Sequence, residues 1–318
     1  MTSAGTGPPA PLADEPAVRT VELTKHYGTA IALSGLSMVV PRGEVFGFLG
    51  PNGSGKTTAV KLLLGLTRPT GGDAWVLGRR AGDRATRSRV GYLPELFRYQ
   101  GWLSAREVLA LHCRLAGIPR ADWFAEIDGA LSTVGLHGHG DAKVETYSKG
   151  MQQRLGLGVA LLGSPELVVL DEPTSALDPL GRADTRVIIR GLRDRGCAVF
   201  LNSHLLSEVE QVCDRVAVVS GGRVLATGSL DELLGSGGVR LRLSGFDGAA
   251  HAALSRHGTV AELDGWVTVA GVTADAVPDL VADLVAGGVR VYAVEPEHQT
   301  LEERFLALLR DEEARWQR

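Results

Sequence analysis

Hydrophobic and polar positions along this chain switch repeatedly between two periods. "TVELTKHYG", Thr20 to Gly28, alternates with period two and predicts a strand. "GEVFGFLG" is a short apolar run, and "AVKLLLGL", after a Gly-rich turn, predicts a helix. "ELVVLDE" and "CAVFLNS" are continuous apolar runs that end in turn residues, the pattern of parallel strands buried on both faces. "RVAVVSGGRVLATG" predicts a hairpin around Gly221-Gly222. Residues 96–162 are mostly helical in pattern and predict an inserted helical subdomain. Residues 18–235 therefore predict one α/β domain.

After "GSLDELLGSGG" the pattern changes. "VRLRLSG" predicts a strand, "AAHAALSRHG" a helix, and "TVAEL" and "WVTVAG" two strands. "AVPDLVADLVAGG" (helix), "VRVYAVEP" (strand) and "TLEERFLALLRDEEARW" (helix) complete the order. Strand-helix-strand-strand-helix-strand predicts a small ferredoxin-like α+β domain over 238–318. Trp266 is expected in its core. The acids of "DELLG" and "RDEEARWQR" are expected on solvated helix faces. Residues 1–17, "MTSAGTGPPAPLADEPA", lack both a basic start and an apolar core. They predict a disordered extension, not a signal peptide.

Composition narrows the class only a little. The 318 residues are 44% hydrophobic and 22% charged, an ordinary soluble balance. A net charge of −4 gives no electrostatic footprint for nucleic acid. No run reaches the ~18 apolar residues of a membrane helix, so the chain cannot span a bilayer alone. Cys113, Cys197 and Cys213 form no C-x-x-C pair and are expected to be buried small hydrophobes. His137 and His139 sit in a Gly-rich stretch without further metal ligands at zinc-like spacing, so a solvated loop is expected.

"GPNGSGKTT" changes the picture. Gly50, Gly55, Lys56 and Thr57 match G-x-x-x-x-G-K-[ST] between a predicted strand and a predicted helix, the context a phosphate loop requires. The glycines let backbone N–H groups turn inward, and the positive end of the helix points at the same place. Lys56 brings a point charge to the β/γ-phosphates, and the Thr57 hydroxyl suits Mg²⁺. Kinases, GTPases and motor ATPases all share this loop, so it does not name the reaction. No N-K-x-D guanine-reading motif is present. "LVVLDEPTSALD" ends an apolar strand in two carboxylates. Asp171 is placed to hold Mg²⁺, directly or through water. Glu172 is placed beside the γ-phosphate as general base or water-positioning residue. In "FLNSHLLSEVE", His204 follows another buried strand and is expected on the same sheet edge as Glu172. Hydrolysis fits these acids better than small-molecule phosphorylation.

Together these residues resemble the nucleotide-binding subunit of ATP-binding cassette (ABC) transporters, over about Val18 to Gly235. Tyr27 matches the aromatic that stacks on adenine. Gly50, Pro51, Asn52, Gly53, Ser54, Gly55, Lys56, Thr57 and Thr58 match Walker A, and "LVVLDE" matches Walker B with Glu172 as catalytic base. "SALD", Ser175 to Asp178, matches the D-loop, and His204 the switch histidine. "VGYLPE" stands at the Q-loop, and "YSKGMQQR" where the family has L-S-G-G-Q. The resemblance implies a P-loop ABC fold and an active ATPase using ATP and Mg²⁺. Thr57, Glu95 and Asp171 would serve the metal. Two subunits, as a homodimer, would sandwich two ATP molecules head to tail. Ser148, Lys149, Gly150 and Met151 would then act in trans on the partner's ATP. It further implies a separate transmembrane permease subunit. The chain would sit at the cytoplasmic face of the cell membrane, peripheral through that permease.

Two departures stand out. Glu95 replaces the expected Gln; a neutral family variant is favoured over altered metal dependence. In the signature, Tyr147 replaces Leu, Lys149 replaces Gly and Met151 replaces Gln, while Ser148 and Gly150 are kept. Both departures, and the tail "HQTLEERFLAL", resemble ABC-2 type exporter ATPases of the drug-resistance and copper-assembly kind. Lys149 has two readings, one toward solvent and one adding positive charge near the partner's ATP. Two rival classes share the phosphate loop. A soluble ABC ATPase acting on nucleic acid or ribosomes usually carries two cassettes or a long coiled-coil insertion. This chain has a single phosphate loop and an acidic balance. For a nucleotide-dependent regulator that does not energise transport, the intact Glu172 and His204 argue against a dead ATPase but not against a non-transport role. The transported substrate stays open.

Overall fold

The protein is described by a computed structural model covering residues 15–234, 238–263, 265–297 and 300–316. Most of the expected N-terminal extension, residues 1–14, lies outside the described residues, as do His298 and Gln299 of the tail segment. The described chain divides into two compact units, one through Thr227 and one from Gly228.

The first unit runs β1 (Val18–Tyr27), β2 (Ala30–Val40), β3 (Val45–Leu49), α1 (Lys56–Leu63), β4 (Gly71–Val76), β5 (Arg79–Arg80), α2 (Arg84–Arg87) and β6 (Val90–Leu93). It continues with α3 (Ala105–Ala116), α4 (Trp123–Thr133), α5 (Lys149–Ala160), β7 (Leu167–Asp171), α6 (Pro179–Asp194), β8 (Ala198–Asn202), α7 (Leu206–Val212), β9 (Arg215–Ser220) and β10 (Arg223–Ser229). Every residue of β3, β7 and β8 is buried, which is why those segments are uninterrupted apolar runs. They form the centre of a six-stranded sheet ordered β10-β9-β3-β8-β7-β6, with β9, β3, β8, β7 and β6 pairing in parallel. Their C-terminal ends share one edge, where open α/β sheets place ligands. Helix α6 turns Thr185, Ile189 and Leu192 inward, a single helical stripe.

A second, antiparallel sheet is ordered β2-β1-β4-β5. The pattern of residues predicts only β1 of these four. The β1–β2 register shifts three times between Thr20 and His26, and each shift breaks the period-two alternation. The helical segment is α3, α4 and α5. Ser104 and Glu107 form a capping box that starts α3, and Gly117 ends it in the left-handed region.

The second unit comprises α8 (Leu230–Leu234), β11 (Gly238–Ser244), α9 (Gly248–Leu254), β12 (Thr259–Leu263), β13 (Trp266–Ala270), α10 (Val277–Ala286), β14 (Arg290–Glu297) and α11 (Leu301–Trp316). Its sheet is antiparallel and ordered β12-β13-β11-β14, the ferredoxin-like arrangement. Val239, Leu241, Leu254, Val269, Leu280 and Leu284 form its core. Trp266 corrects an expectation. Val267 and Val269 take the buried positions of β13, and Trp266 is only half-buried beneath the Arg240 guanidinium, 4.6 Å away. Arg240 also pairs with Glu295 at 2.5 Å. Glu232 likewise does more than face solvent. It accepts from the Ser229 N–H at 2.7 Å and donates its own N–H to the Ser229 hydroxyl, a capping box for α8.

Candidate functional site

The site is assembled from three strand ends. β3 leads into Gly50–Gly55, which delivers the chain to the N-terminus of α1. Gly55 has φ +99°, and a Cβ there would meet the Ala32 carbonyl at 2.4 Å. A Cβ on Gly50 would meet the Val219 carbonyl at 2.3 Å. Both positions thus exclude any side chain. The turn between β9 and β10 closes on the same loop, where the Gly222 N–H donates to the Ser54 carbonyl at 3.2 Å.

Lys56, the first residue of α1, is buried and donates to the carbonyls of Gly50 (2.7 Å) and Pro51 (3.1 Å). Burial lowers its pKa, and the charges of Glu172, Asp171 and Glu95 oppose that shift. The ammonium therefore already answers to the three carboxylates that the sequence places at this edge.

Parallel pairing sets Asp171, at the end of β7, opposite Asn202, at the end of β8. Asn202 Nδ2 donates to Asp171 Oδ1 at 2.5 Å, and both residues are buried. Burial raises the Asp171 pKa, the Asn202 hydrogen bond lowers it, and Glu95 and Glu172 add to the rise. The next residue, Glu172, adopts φ +54°, unusual for a residue with a side chain. Its N–H donates to the Asn202 carbonyl at 2.8 Å. Its Oε2 lies 2.7 Å from His204 Nδ1.

Asn52, Gly53, Gly55, Lys56, Thr57, Thr58, Glu95, Glu172 and His204 line one cavity of about 450 Å³, together with Ala32 and Asn202. A larger cavity of about 530 Å³ includes Cys197 and Glu166. Glu166 is already engaged by Arg42 and Arg89, and burial pushes the Cys197 thiol up to about 11, so no chemistry converges there.

Gly50, Pro51, Ser54 and Asp171 do not line the cavity themselves, and three further predicted groups also stand outside it. Tyr27 is half exposed at the end of β1, with the Lys25 ammonium 4.9 Å from its ring centre. Ser148 caps α5, accepting from the Met151 N–H at 3.2 Å, and Lys149 is exposed as the first residue of that helix. Gly150 faces Ala176 and Leu177, so the signature turn packs against the D-loop. Within that loop, Ser175 Oγ donates to the Glu172 carbonyl and Asp178 caps α6.

Two residues at the site escaped the sequence reading. Asn202 ends its buried strand with a polar side chain, as Asp171 does, and that parallel was legible. Gln153 is a buried polar residue on the inward stripe of α5 with Leu157 and Ala160, and its position on that stripe was the available signal.

The family described as ABC transporter matches residues 33–175. An uncharacterized ABC transporter ATP-binding protein from Nostoc is 48% identical over 228 residues, 69% of this chain and 68% of that protein. The daunorubicin resistance ATP-binding protein DrrA3 of Streptomyces coeruleorubidus is 38% identical over 297 residues, 91% of this chain and 94% of its own length. A solved ATP-binding subunit of an ABC transporter superposes with a TM-score of 0.64 at 29% identity, covering 68% of this chain and 91% of that one.

Proposed function

This chain belongs to the family of ABC transporter ATP-binding subunits, and from that premise we propose how its residues do the work. It is an ATPase whose turnover energises transport. Glu172 is the base that takes the proton of the attacking water, and His204 orients it. Lys56 and the N–H groups of Gly53 to Thr58 bind the phosphates and stabilise charge that grows on them. The observation that carries this assignment is the 2.7 Å contact between Glu172 and His204 on the cavity that Lys56 also lines.

The donors present suit Mg²⁺. Thr57 and Glu95 line the cavity and Asp171 lies at its edge, all offering hard oxygens. The Asn202 Oδ1, beside Asp171, is buried and unpartnered, a further hard oxygen at this edge. Among the described residues no group of three or more His, Cys, Asp or Glu could hold a metal by itself. Thr57, Glu95 and Asp171 would hold the ion together with oxygens of the bound nucleotide. When bound, Mg²⁺ neutralises phosphate charge.

Ser148 to Met151 lie outside the chain's own cavity, which favours completion of each site by a second copy. Residues 18–235 are the engine and residues 238–318 an accessory domain. Among the described residues no helix is long and apolar enough to cross a membrane. By the family's design, the transport path is assigned to a separate permease. A groove of about 400 Å³ lined by Phe97, Tyr99, His112 and Leu115, with Leu96 fully outward beside it, suits an apolar element of such a partner. Engagement there would hold the subunit at the cytoplasmic face of the membrane. Similarity to a daunorubicin resistance protein over 91% of the chain favours an ABC-2 type exporter.

The test is Glu172→Gln. ATP binding should be retained, turnover should fall by at least about a hundredfold, and an ATP-bound dimer should accumulate on size exclusion. Turnover close to wild type in this variant would remove Glu172 from the base role.

A further inference from the structure

Glu172 holds a backbone conformation that needs explaining. For a residue with a Cβ the left-handed region is unfavourable, and it persists only where the surroundings enforce it. The N–H side of Glu172 is held by Asn202. The carbonyl side is held by Ser175, through its N–H at 3.3 Å and its hydroxyl at 3.1 Å, and by a residue from another element. That residue is Gln153, whose Nε2 donates to the carbonyls of both Glu172 (3.3 Å) and Pro173 (3.1 Å). Its side chain is 5% exposed, on the stripe of α5 where Leu157 and Ala160 pack. An apolar residue would fill such a position without the cost of burying an amide. Here both contacts of the amide go to consecutive carbonyls, that of Glu172 itself and that of Pro173 after it.

We propose that Gln153 is a positioning residue for hydrolysis, fixing the Glu172–Pro173 backbone and thereby the direction of the Glu172 carboxylate. It does so from the helix that Ser148 caps. Gln153, whose amide grips Glu172, lies five positions along the chain from Ser148, the N-cap of α5. Displacement of α5 when a second subunit engages Ser148 is thus passed directly to the subunit's own base. This inference rests on the assignment of Glu172 as base, and the experiment separates the two.

The experiment measures steady-state ATPase kinetics of the full chain carrying Gln153→Met, alone and combined with Glu172→Gln. Met keeps the volume and removes the donor. The expected result is a fall in kcat of about tenfold or more with KM for ATP within about twofold, because the loss is one of aim and not of binding. In the Glu172→Gln background the second substitution should cause no further loss, since there is no base left to aim. Gln153→Asn, which keeps the amide but retracts it by one methylene, should reproduce the kcat loss and covers the case in which Met misfolds. An equal proportional loss in both backgrounds, or a rise in KM without a fall in kcat, overturns the positioning role while leaving the base assignment intact. Wild-type turnover in Glu172→Gln alone overturns the base assignment and this inference with it.

Discussion

Lys149 occupies the first position of α5, where the helix presents its positive end and where a cation is disfavoured by about 0.3–1 kcal/mol. It is exposed, so an isolated subunit gains nothing there. A partner's ATP facing that end would reverse the sign. Lys149→Gln should leave the melting temperature of the nucleotide-free subunit equal or slightly higher. It should also weaken ATP-driven dimerisation several-fold at low salt, with the difference closing at high salt. Sedimentation across a salt series measures this, and unchanged dimerisation at low salt would assign the side chain to solvent. Its neighbour Tyr147 explains itself differently. The ring is buried and its hydroxyl donates to the His139 carbonyl at 2.7 Å, so a residue that looks like a departure in the signature is a core residue with one satisfied polar tip. The substitution was visible in the sequence; the distant carbonyl it reaches was not.

Among the elements, β7 is the one on which most depends. Its C-terminal end supplies Asp171, and just before its N-terminal end Glu166 accepts from Arg42 and Arg89, which precede β3 and β6. The hydrogen bond from Arg89, followed by the one from Arg42, lowers the Glu166 pKa despite partial burial. A depressed folded-state pKa means the stabilisation is fully present above the ordinary Glu value of about 4.3. It is lost as pH falls through the lower folded value. Glu166→Gln should therefore reduce stability at neutral pH, and the gap to wild type should close as the pH drops below about 4. Chemical denaturation at several pH values measures it, and a gap independent of pH would remove the ionised pair as its cause. The apolar runs of β3, β7 and β8 were legible because two-sided burial leaves a continuous signal. The antiparallel sheet around β2 was not, because its bulges interrupt the alternation that would reveal it.

At the scale of the molecule, each unit has a core of its own. Leu23, Phe46, Phe48 and Phe200 belong to one, and Val239, Leu241 and Val269 to the other. A chain ending at residue 235 should therefore fold, bind ATP with unchanged affinity and hydrolyse it. The family resemblance gives the accessory domain a regulatory or dimer-stabilising role; we propose the second, and ATP-driven dimerisation of that shortened chain should then be weaker. Full dimerisation and full coupled transport by it would rule that assignment out.

The phosphate loop, the two carboxylates at the end of β7 and the histidine after β8 were legible in the sequence itself. Each is a contiguous run whose chemistry needs particular residue types at adjacent positions, so no folding is required to recognise it. The strand order and βαββαβ succession of the tail were likewise legible, because hydrophobic period and turn residues are local. Only the tertiary structure decided what joins those runs. The register of β7 against β8 sets Asn202 on Asp171, and the packing of α5 brings the Gln153 amide to the Glu172 carbonyl. The choice of face in β13 moves Trp266 out of the core. These contacts link residues from different elements, and a shift of one residue in a strand would send each side chain to the opposite face. Pairing register and helix rotation are collective outcomes of packing the whole core, and no local pattern encodes them.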